Sequence, residues 1–185
     1  MKLLSLLGLL FLAAVGYGML MPQTTNAQPQ ADVSQASQMA VAQSPTINAH
    51  FIDNVLCSNA SPACGTGQAL YDGGVQYGID PAIALAFFRH ESSYGKYGIA
   101  AHNLGLGNIR CTDGYVCKFG FRAYPSWQAG YIDWYKLIRY YIDELHKTTI
   151  DVIIPTYAPS VENDTQGYIQ SVKISVQEWR KQVQA

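Results

Sequence analysis

The stretch from residue 79 to residue 95 limits the possible folds of this chain more than any other. Asp80 is a good helix N-cap, and Pro81 suits the first helical position. Every residue from 82 to 88 is apolar, so the sequence predicts a helix that is buried on most sides. We expect the rest of the folded domain to be organised around this helix.

Glu91 stands near the end of the predicted helix and follows Phe87 by four positions, so the two share a face. A carboxylate at the end of a buried helix is costly unless it has a partner or a task. Burial raises the pKa of a carboxyl group, which is what a general acid needs near neutral pH. The structural alternative is that Glu91 caps the helix or pairs with Arg89 or Arg110.

The N-terminus has the pattern of a targeting segment. An apolar run covers residues 3–21, and Thr25 and Ala27 then flank Asn26 as in a signal-peptidase site. We therefore interpret residues 1–27 as a secretory signal. The run is also long enough to span a bilayer, so an uncleaved membrane anchor is the alternative. Both interpretations place the remaining chain outside the cytoplasm, either secreted or anchored.

The segment 28–48 is rich in Gln, Ala, Ser and Pro and has no apolar periodicity. Such a composition is typical of a disordered linker. We therefore expect the catalytic domain to cover residues 49–185.

Four cysteines occur as two close pairs, Cys57/Cys64 and Cys111/Cys117. An even number in an exported chain favours disulfides. Of the three possible connectivities, we expect the two local bonds. A zinc site is the competing hypothesis, but these spacings do not match paired C-x-x-C motifs, and no histidine is close to either pair in sequence.

Composition excludes some classes of function. Charged residues are only 14% of the chain and the net charge is −1, so a basic surface for nucleic acid is not expected. The sequence contains no recognisable cluster of metal ligands or phosphate-binding loop, and we expect no cofactor. Tyrosine is abundant, with 13 residues, and suits sugar binding, although a place in the core explains most of them equally well.

A Gly-rich segment spans residues 93–125 and also contains Asn108, Arg110 and Asp113. A long segment of this kind inside a compact domain is usually functional. We expect it to form the floor and rim of a cleft beside Glu91.

The last third of the chain is predicted to be helical. Ser126 caps a long helix with an apolar stripe. A short helical turn over 149–154 is expected to stop at a proline, with a constrained loop over 155–160, and Asp164 can cap the last helix. The fold class is therefore mainly α.

Four sequence blocks occur in a specific order: HESSYG, NLGLGNIR, FRAYPSWQAGYIDW and IIPTYAPSVENDTQGYIQSV. Over about residues 49–183, this order resembles the bacterial cell-wall glucosaminidase family, which has a mannosyl-glycoprotein endo-β-N-acetylglucosaminidase-like domain and belongs to the lysozyme-like superfamily. The resemblance implies a two-lobed, mainly helical fold, with a Gly-rich loop and short strands lining a cleft. It also implies hydrolysis of β-1,4 bonds at N-acetylglucosamine in peptidoglycan or related glycans.

The resemblance also assigns site residues. It places the general acid at Glu91. It also implies a catalytic role for Tyr157 of the Tyr-Ala motif, in addition to any second carboxylate. Asn108 and Arg110 match the substrate-binding block more loosely, and the blocks add Tyr94 and Tyr124 as further residues expected to bind substrate.

The second catalytic group remains open at this point. Two carboxylates normally flank a scissile glycosidic bond, and the candidates are Asp113, Glu162 and Asp164. Asp164 also fits a helix cap. Assistance by the acetamido group of the substrate would make a second carboxylate unnecessary.

Three alternatives to a glucosaminidase share this sequence pattern: a lytic transglycosylase, a muramidase of the same fold, and a non-catalytic module that binds cell-wall glycans. Glu91 on the buried helix favours an enzyme. In every case the expected partner is peptidoglycan or another glycan that contains N-acetylglucosamine. A membrane is expected as a partner only through an uncleaved N-terminal anchor.

Overall fold

The computed structural model describes residues 38–184, so the segment 1–27, with its predicted signal or anchor, lies outside the described residues. The described part is mainly helical, as predicted, with one short β-hairpin. The elements are α1 (Ala49–Ser58), α2 (Gly67–Tyr77), α3 (Pro81–Ser92), α4 (Ala100–Asn103), β1 (Cys117–Lys118), β2 (Phe121–Arg122), α5 (Trp127–Asp143), α6 (Ile150–Tyr157) and α7 (Thr165–Gln184). Across residues 38–184, no helix has both the length and the apolar character needed to cross a membrane.

Helix α3 lies at the centre of the fold. Every residue from Pro81 to Phe88 is buried. The Asp80 carboxylate caps the helix by accepting a hydrogen bond from the backbone N–H of Ala82 at 3.1 Å. Helices α2 and α7 pack against α3, and aromatic side chains of α5 contact the rings of Phe87 and Phe88. The prediction of a buried helix with an Asp80 cap is confirmed.

Two consecutive glycines, Gly73 and Gly74, allow α2 to pack closely on its neighbours. A Cβ atom on Gly73 would lie 2.7 Å from the Tyr135 ring in α5, and one on Gly74 would lie 2.6 Å from Pro81 in α3. Both separations are too short for real side-chain contacts. Close packing on both helices therefore offsets the low helix propensity of these glycines.

The N-terminal boundary of the folded part is earlier than predicted. The sequence indicates a linker over 28–48, but its described part, 38–48, packs on the domain. Ala40 forms a β-bridge with the residue that precedes α6, and Val41 and Ile47 are buried. Two enclosed apolar side chains, a few backbone hydrogen bonds and the hydrogen bonds of Thr46 with Asp80 hold this segment. An argument from average composition does not detect such specific contacts.

Helix α6 also differs from its prediction. The sequence suggests that Pro155 ends a helical turn and starts a loop over 155–160, but the helix continues through Pro155 to Tyr157. Pro155 is exposed, whereas the three isoleucines of α6 are buried. Burial of the isoleucines therefore maintains the helix where proline removes a backbone hydrogen bond. Tyr157 consequently lies in the last turn of a helix.

Both cysteine pairs form the local disulfides that the sequence predicts. Cys57 bonds to Cys64 with a Cα–Cα distance of 4.7 Å, and Cys111 bonds to Cys117 with a distance of 5.8 Å. The second bond closes the loop that leads into the antiparallel pair β1–β2. Two disulfides are consistent with an oxidising compartment outside the cytoplasm.

Candidate active site

Glu91 lies in the last turn of α3, where its side chain is half-buried. Its Oε1 atom accepts a hydrogen bond from the phenol of Tyr168 in α7 at 2.8 Å. Its backbone carbonyl accepts a hydrogen bond from the side-chain amide of Asn108 at 3.0 Å. Both donors are neutral, so these contacts position Glu91 without supplying a counter-charge.

The surroundings of Glu91 favour its protonated form. Burial raises its pKa from 4.5 to about 7, because the charged carboxylate loses hydration. The Tyr168 hydrogen bond and, to a smaller extent, the nearby Asn108 side-chain amide act in the opposite direction and lower the pKa, but burial has the larger effect. The C-terminal end of a helix dipole also disfavours a negative charge. Roughly half of the Glu91 side chains therefore carry a proton at neutral pH.

The sequence leaves open an ion pair between Glu91 and Arg89 or Arg110. Arg89 instead lies 3.9 Å from the carboxylate of Glu178, and Arg110 pairs with Glu162. Within residues 38–184, Glu91 forms no ion pair. The structural explanation by a salt bridge therefore does not apply.

Two adjoining pockets open beside Glu91, and together they form what we call the groove. The pocket that includes Glu91 has a volume of about 190 Å³, and its neighbour has a volume of about 320 Å³. One wall comes from the Gly-rich segment 93–125, and the other comes from α6 and the α6–α7 loop, residues 158–164. Five residues line both pockets: Asn108, Arg110, Tyr157, Pro159 and Glu162.

Tyr157 joins the two walls of the groove. Its hydroxyl donates a hydrogen bond to the carbonyl of Gly107, and its ring lies edge-on to Phe87 at 5.4 Å between centroids. A Cβ atom on Gly107 would lie 2.6 Å from Trp134 and 2.9 Å from the Tyr157 hydroxyl, so glycine permits this close approach. Burial and the nearby charge of Glu91 raise the pKa of Tyr157 well above its ordinary value, which keeps the phenol protonated as a donor.

Asn108 and Arg110, both predicted to bind substrate, line the groove. Asn108 has a positive φ of 46°, and its Oδ1 atom is buried with no hydrogen-bond partner among the described residues. The guanidinium of Arg110 lies 6.0 Å from the centroid of the Phe121 ring and forms an ion pair with Glu162. The Gly-rich segment thus contributes an amide and a cation to the groove.

The other two residues predicted to bind substrate, Tyr94 and Tyr124, lie elsewhere. Tyr94 is only 3% exposed and belongs to the core. The hydroxyl of Tyr124 donates to the carboxylate of Asp133 at 2.8 Å, and Arg122 contacts the same carboxylate at 2.9 Å. Neither tyrosine lines a pocket of the groove. Both hold the scaffold together, and the sequence does not distinguish such tyrosines from sugar-binding ones.

Tyr168 contacts Glu91, and sequence reasoning did not identify this contact. Its place in the apolar stripe of α7 predicts a core position, and it is indeed only 2% exposed. Its hydroxyl nevertheless reaches Glu91, and its ring stacks on His90 at 3.7 Å between centroids. A buried tyrosine needs a partner for its hydroxyl, but the helical spacing alone does not identify that partner.

No protein-family model matches this chain, and a search of curated proteins finds no match either.

Proposed function

We propose that this protein is a glycoside hydrolase that cleaves β-1,4 bonds at N-acetylglucosamine in peptidoglycan or related glycans. The observation that carries the proposal is the half-buried Glu91 carboxyl group beside an open groove, with a pKa of about 7 and no cationic partner among residues 38–184. A carboxylic acid in this state can give a proton to a leaving oxygen at neutral pH.

In the proposed reaction Glu91 acts as the general acid. Tyr168 occupies Oε1, which leaves Oε2 to carry the transferable proton. This proton moves to the glycosidic oxygen as the bond from that oxygen to the anomeric carbon breaks, and water supplies the new bond to the anomeric carbon. Such proton transfer typically accelerates a reaction by about 10²–10⁴-fold.

The proposed role of Tyr157 is to hold the groove in shape. Its hydroxyl already donates to the Gly107 carbonyl, so the phenol fixes the distance between α6 and the Gly-rich segment. We extend the proposal to a two-lobed, lysozyme-like arrangement, in which the helices around α3 form one lobe and the Gly-rich segment with its hairpin forms the other. The four sequence blocks support this assignment and the choice of glycan.

The test is digestion of purified bacterial cell wall, followed by borohydride reduction and analysis of the new ends. Hydrolysis on the reducing side of N-acetylglucosamine should yield N-acetylglucosaminitol. N-acetylmuramitol would instead identify a muramidase, and anhydro-muramyl ends, which resist borohydride, would identify a lytic transglycosylase. Binding to the wall without soluble product would contradict an enzymatic function and favour a glycan-binding module.

A further inference from the structure

We propose that Glu162 is the second catalytic carboxylate and the base that activates the attacking water, an inference that rests on the proposed hydrolase function. The sequence leaves three candidates for this role, and they occupy very different places in the fold. Their positions relative to the groove carry the inference.

Only Glu162 shares the groove with Glu91. Within the described chain, these two residues are the carboxylates that line the groove. Asp113 lines neither pocket. Asp164 accepts a hydrogen bond from the N–H of Gly167 at 2.9 Å as a cap of α7, and it lines a neighbouring pocket rather than either pocket of the groove.

The two groove carboxylates have opposite surroundings. Glu91 is half-buried and is held by a neutral phenol, whereas the side chain of Glu162 is 56% exposed and paired with the Arg110 guanidinium. Glu162 therefore faces water and a cation, whereas Glu91 is partly removed from water and has no cationic partner among residues 38–184. Two carboxyl groups in such different surroundings, one half-buried and one exposed beside a cation, are suited to act as acid and base in one reaction.

The two groups come from different elements that meet at the groove. Glu91 ends α3 beneath the groove, and Glu162 belongs to the α6–α7 loop at its rim. A glycan in the groove would meet both groups, and water would reach it beside the exposed Glu162. With these two roles, acid and base, the reaction is a single displacement with inversion at the anomeric carbon.

The proton balance of the step is complete. The Glu91 proton moves to the leaving oxygen as its bond to the anomeric carbon breaks. A water oxygen forms the new bond to that carbon and passes one proton to the Glu162 carboxylate. Glu162 then releases its proton to solvent, and Glu91 takes up a proton from solvent. One water molecule is consumed in each cycle.

Arg110 is the positioning residue for this base. Its ion pair with Glu162 is exposed, with the two side chains 74% and 56% accessible, and exposed ion pairs are weak. The pair can therefore orient Glu162 in the free protein and separate when a glycan enters the groove. A weak ion pair of this kind does not prevent a glycan from entering the groove.

The decisive variant is Glu162→Gln, with Glu144→Gln as the matched control, because Glu144 is an exposed glutamate at the end of α5, outside the groove. On soluble, uncross-linked peptidoglycan strands, Glu162→Gln should lower kcat by about 100-fold and change KM by less than about threefold. Glu144→Gln should match the unsubstituted protein. Circular dichroism and urea denaturation should show that both variants fold, because both positions are exposed.

Two further measurements separate a base from a merely structural residue. Added formate should restore a measurable rate to Glu162→Ala, because it supplies the missing carboxylate, and it should not affect Glu144→Ala. Nuclear magnetic resonance at early times should show a first-formed product with the anomeric configuration opposite to that of the substrate.

The possible outcomes decide the inference. An active protein whose Glu162→Gln variant works as well as the Glu144→Gln control would overturn it and favour assistance by the substrate acetamido group. A raised KM with unchanged kcat would make Glu162 a binding residue and also overturn it, as would retention of configuration. If the unsubstituted protein hydrolyses no glycan, the proposed function fails and the role of Glu162 fails with it.

Discussion

The two ends of helix α3 each carry an acidic side chain, and the two side chains have opposite surroundings. At the N-terminal end, Asp80 is fully buried and accepts hydrogen bonds from Arg180 at 2.9 Å, from the Thr46 backbone at 3.0 Å and from Ala82 at 3.1 Å. At the C-terminal end, Glu91 accepts its side-chain hydrogen bond from a phenol. One acid has a cation and N–H donors, and the other has only neutral hydrogen-bond partners among the described residues.

This difference shows how one helix can support both a structural acid and a reactive one. The N-terminus of a helix presents free N–H groups and a partial positive charge, whereas its C-terminus presents carbonyls and a partial negative charge. An acid at the first end is stabilised in its charged form, and an acid at the second end is not. Loss of Asp80 should therefore affect stability, and loss of Glu91 should affect chemistry.

The largest effect is expected for Glu91→Gln on the proposed activity. This substitution keeps the shape of the side chain and removes the transferable proton, so the rate of glycan hydrolysis should fall by about 10³-fold. Release of reducing ends from purified cell wall measures this rate. The same assay on Glu178→Gln, a substitution elsewhere on the surface, should show an unchanged rate. A folded Glu91→Gln protein with near-normal turnover would exclude Glu91 as the acid.

The opposite end of α3 should respond in stability. Asp80→Asn removes a buried charge and leaves Arg180 without its partner, so the free energy of unfolding should fall by about 3 kcal/mol. Urea denaturation measures the change. Asp72→Asn, at an exposed position of α2, is the control and should have little effect. An Asp80→Asn protein as stable as this control would show that the buried ion pair is not important for folding.

The sequence predicts those features of the two ends of α3 that depend on residues close by along the chain. The Asp80 cap, the buried helix and the place of Glu91 at its end follow from residues within one or two turns. The partners of these acids do not, because Arg180 and Tyr168 belong to α7, and Thr46 belongs to a segment that composition suggests is a linker. Tertiary packing brings these residues together, and local patterns contain no signal for it.

For the groove too, the sequence predicts the local backbone character but not which side chains meet there. The glycines of segment 93–125 predict an irregular wall, and the structure places that wall beside Glu91. Tyr94 and Tyr124 share the residue type and the region expected for sugar binding, yet one is in the core and the other is bonded to Asp133. The direction in which a side chain leaves an irregular segment depends on backbone angles that composition does not determine.

A third prediction concerns stability at different pH values. Folding raises the pKa of Glu91 from 4.5 to about 7, so between these values the folded protein keeps a proton that the unfolded chain releases. The contribution of Glu91 to stability is therefore fully present below pH 4.5 and is lost as pH rises to about 7, by at most about 3 kcal/mol. Glu91→Gln removes this penalty because its amide does not ionise.

Urea denaturation of Glu91→Gln and of the unsubstituted protein tests this dependence. The variant should gain stability relative to the unsubstituted protein between about pH 4.5 and about pH 8, in the direction set by the raised pKa. The difference should be smallest at the acidic end. Glu144→Gln should show no such trend. A stability difference that is independent of pH would mean that Glu91 titrates alike in the folded and unfolded states.

The smallest expected effect is that of Tyr168→Phe, which removes the hydroxyl that donates a hydrogen bond to the Glu91 carboxyl group. The phenol hydrogen bond lowers the pKa of Glu91 against the larger influence of burial, so its loss should raise that pKa further. The alkaline limb of the profile of kcat/KM against pH should then move upward by about one pH unit. Below neutral pH the rate should change by less than about threefold, since Glu91 is protonated in both proteins.

Tyr71→Phe, in α2 and distant in sequence from the groove residues, is the control and should leave the profile in place. A downward shift of the alkaline limb would mean that the phenol stabilises the protonated acid rather than the carboxylate, and the role assigned to Tyr168 would have to be reversed.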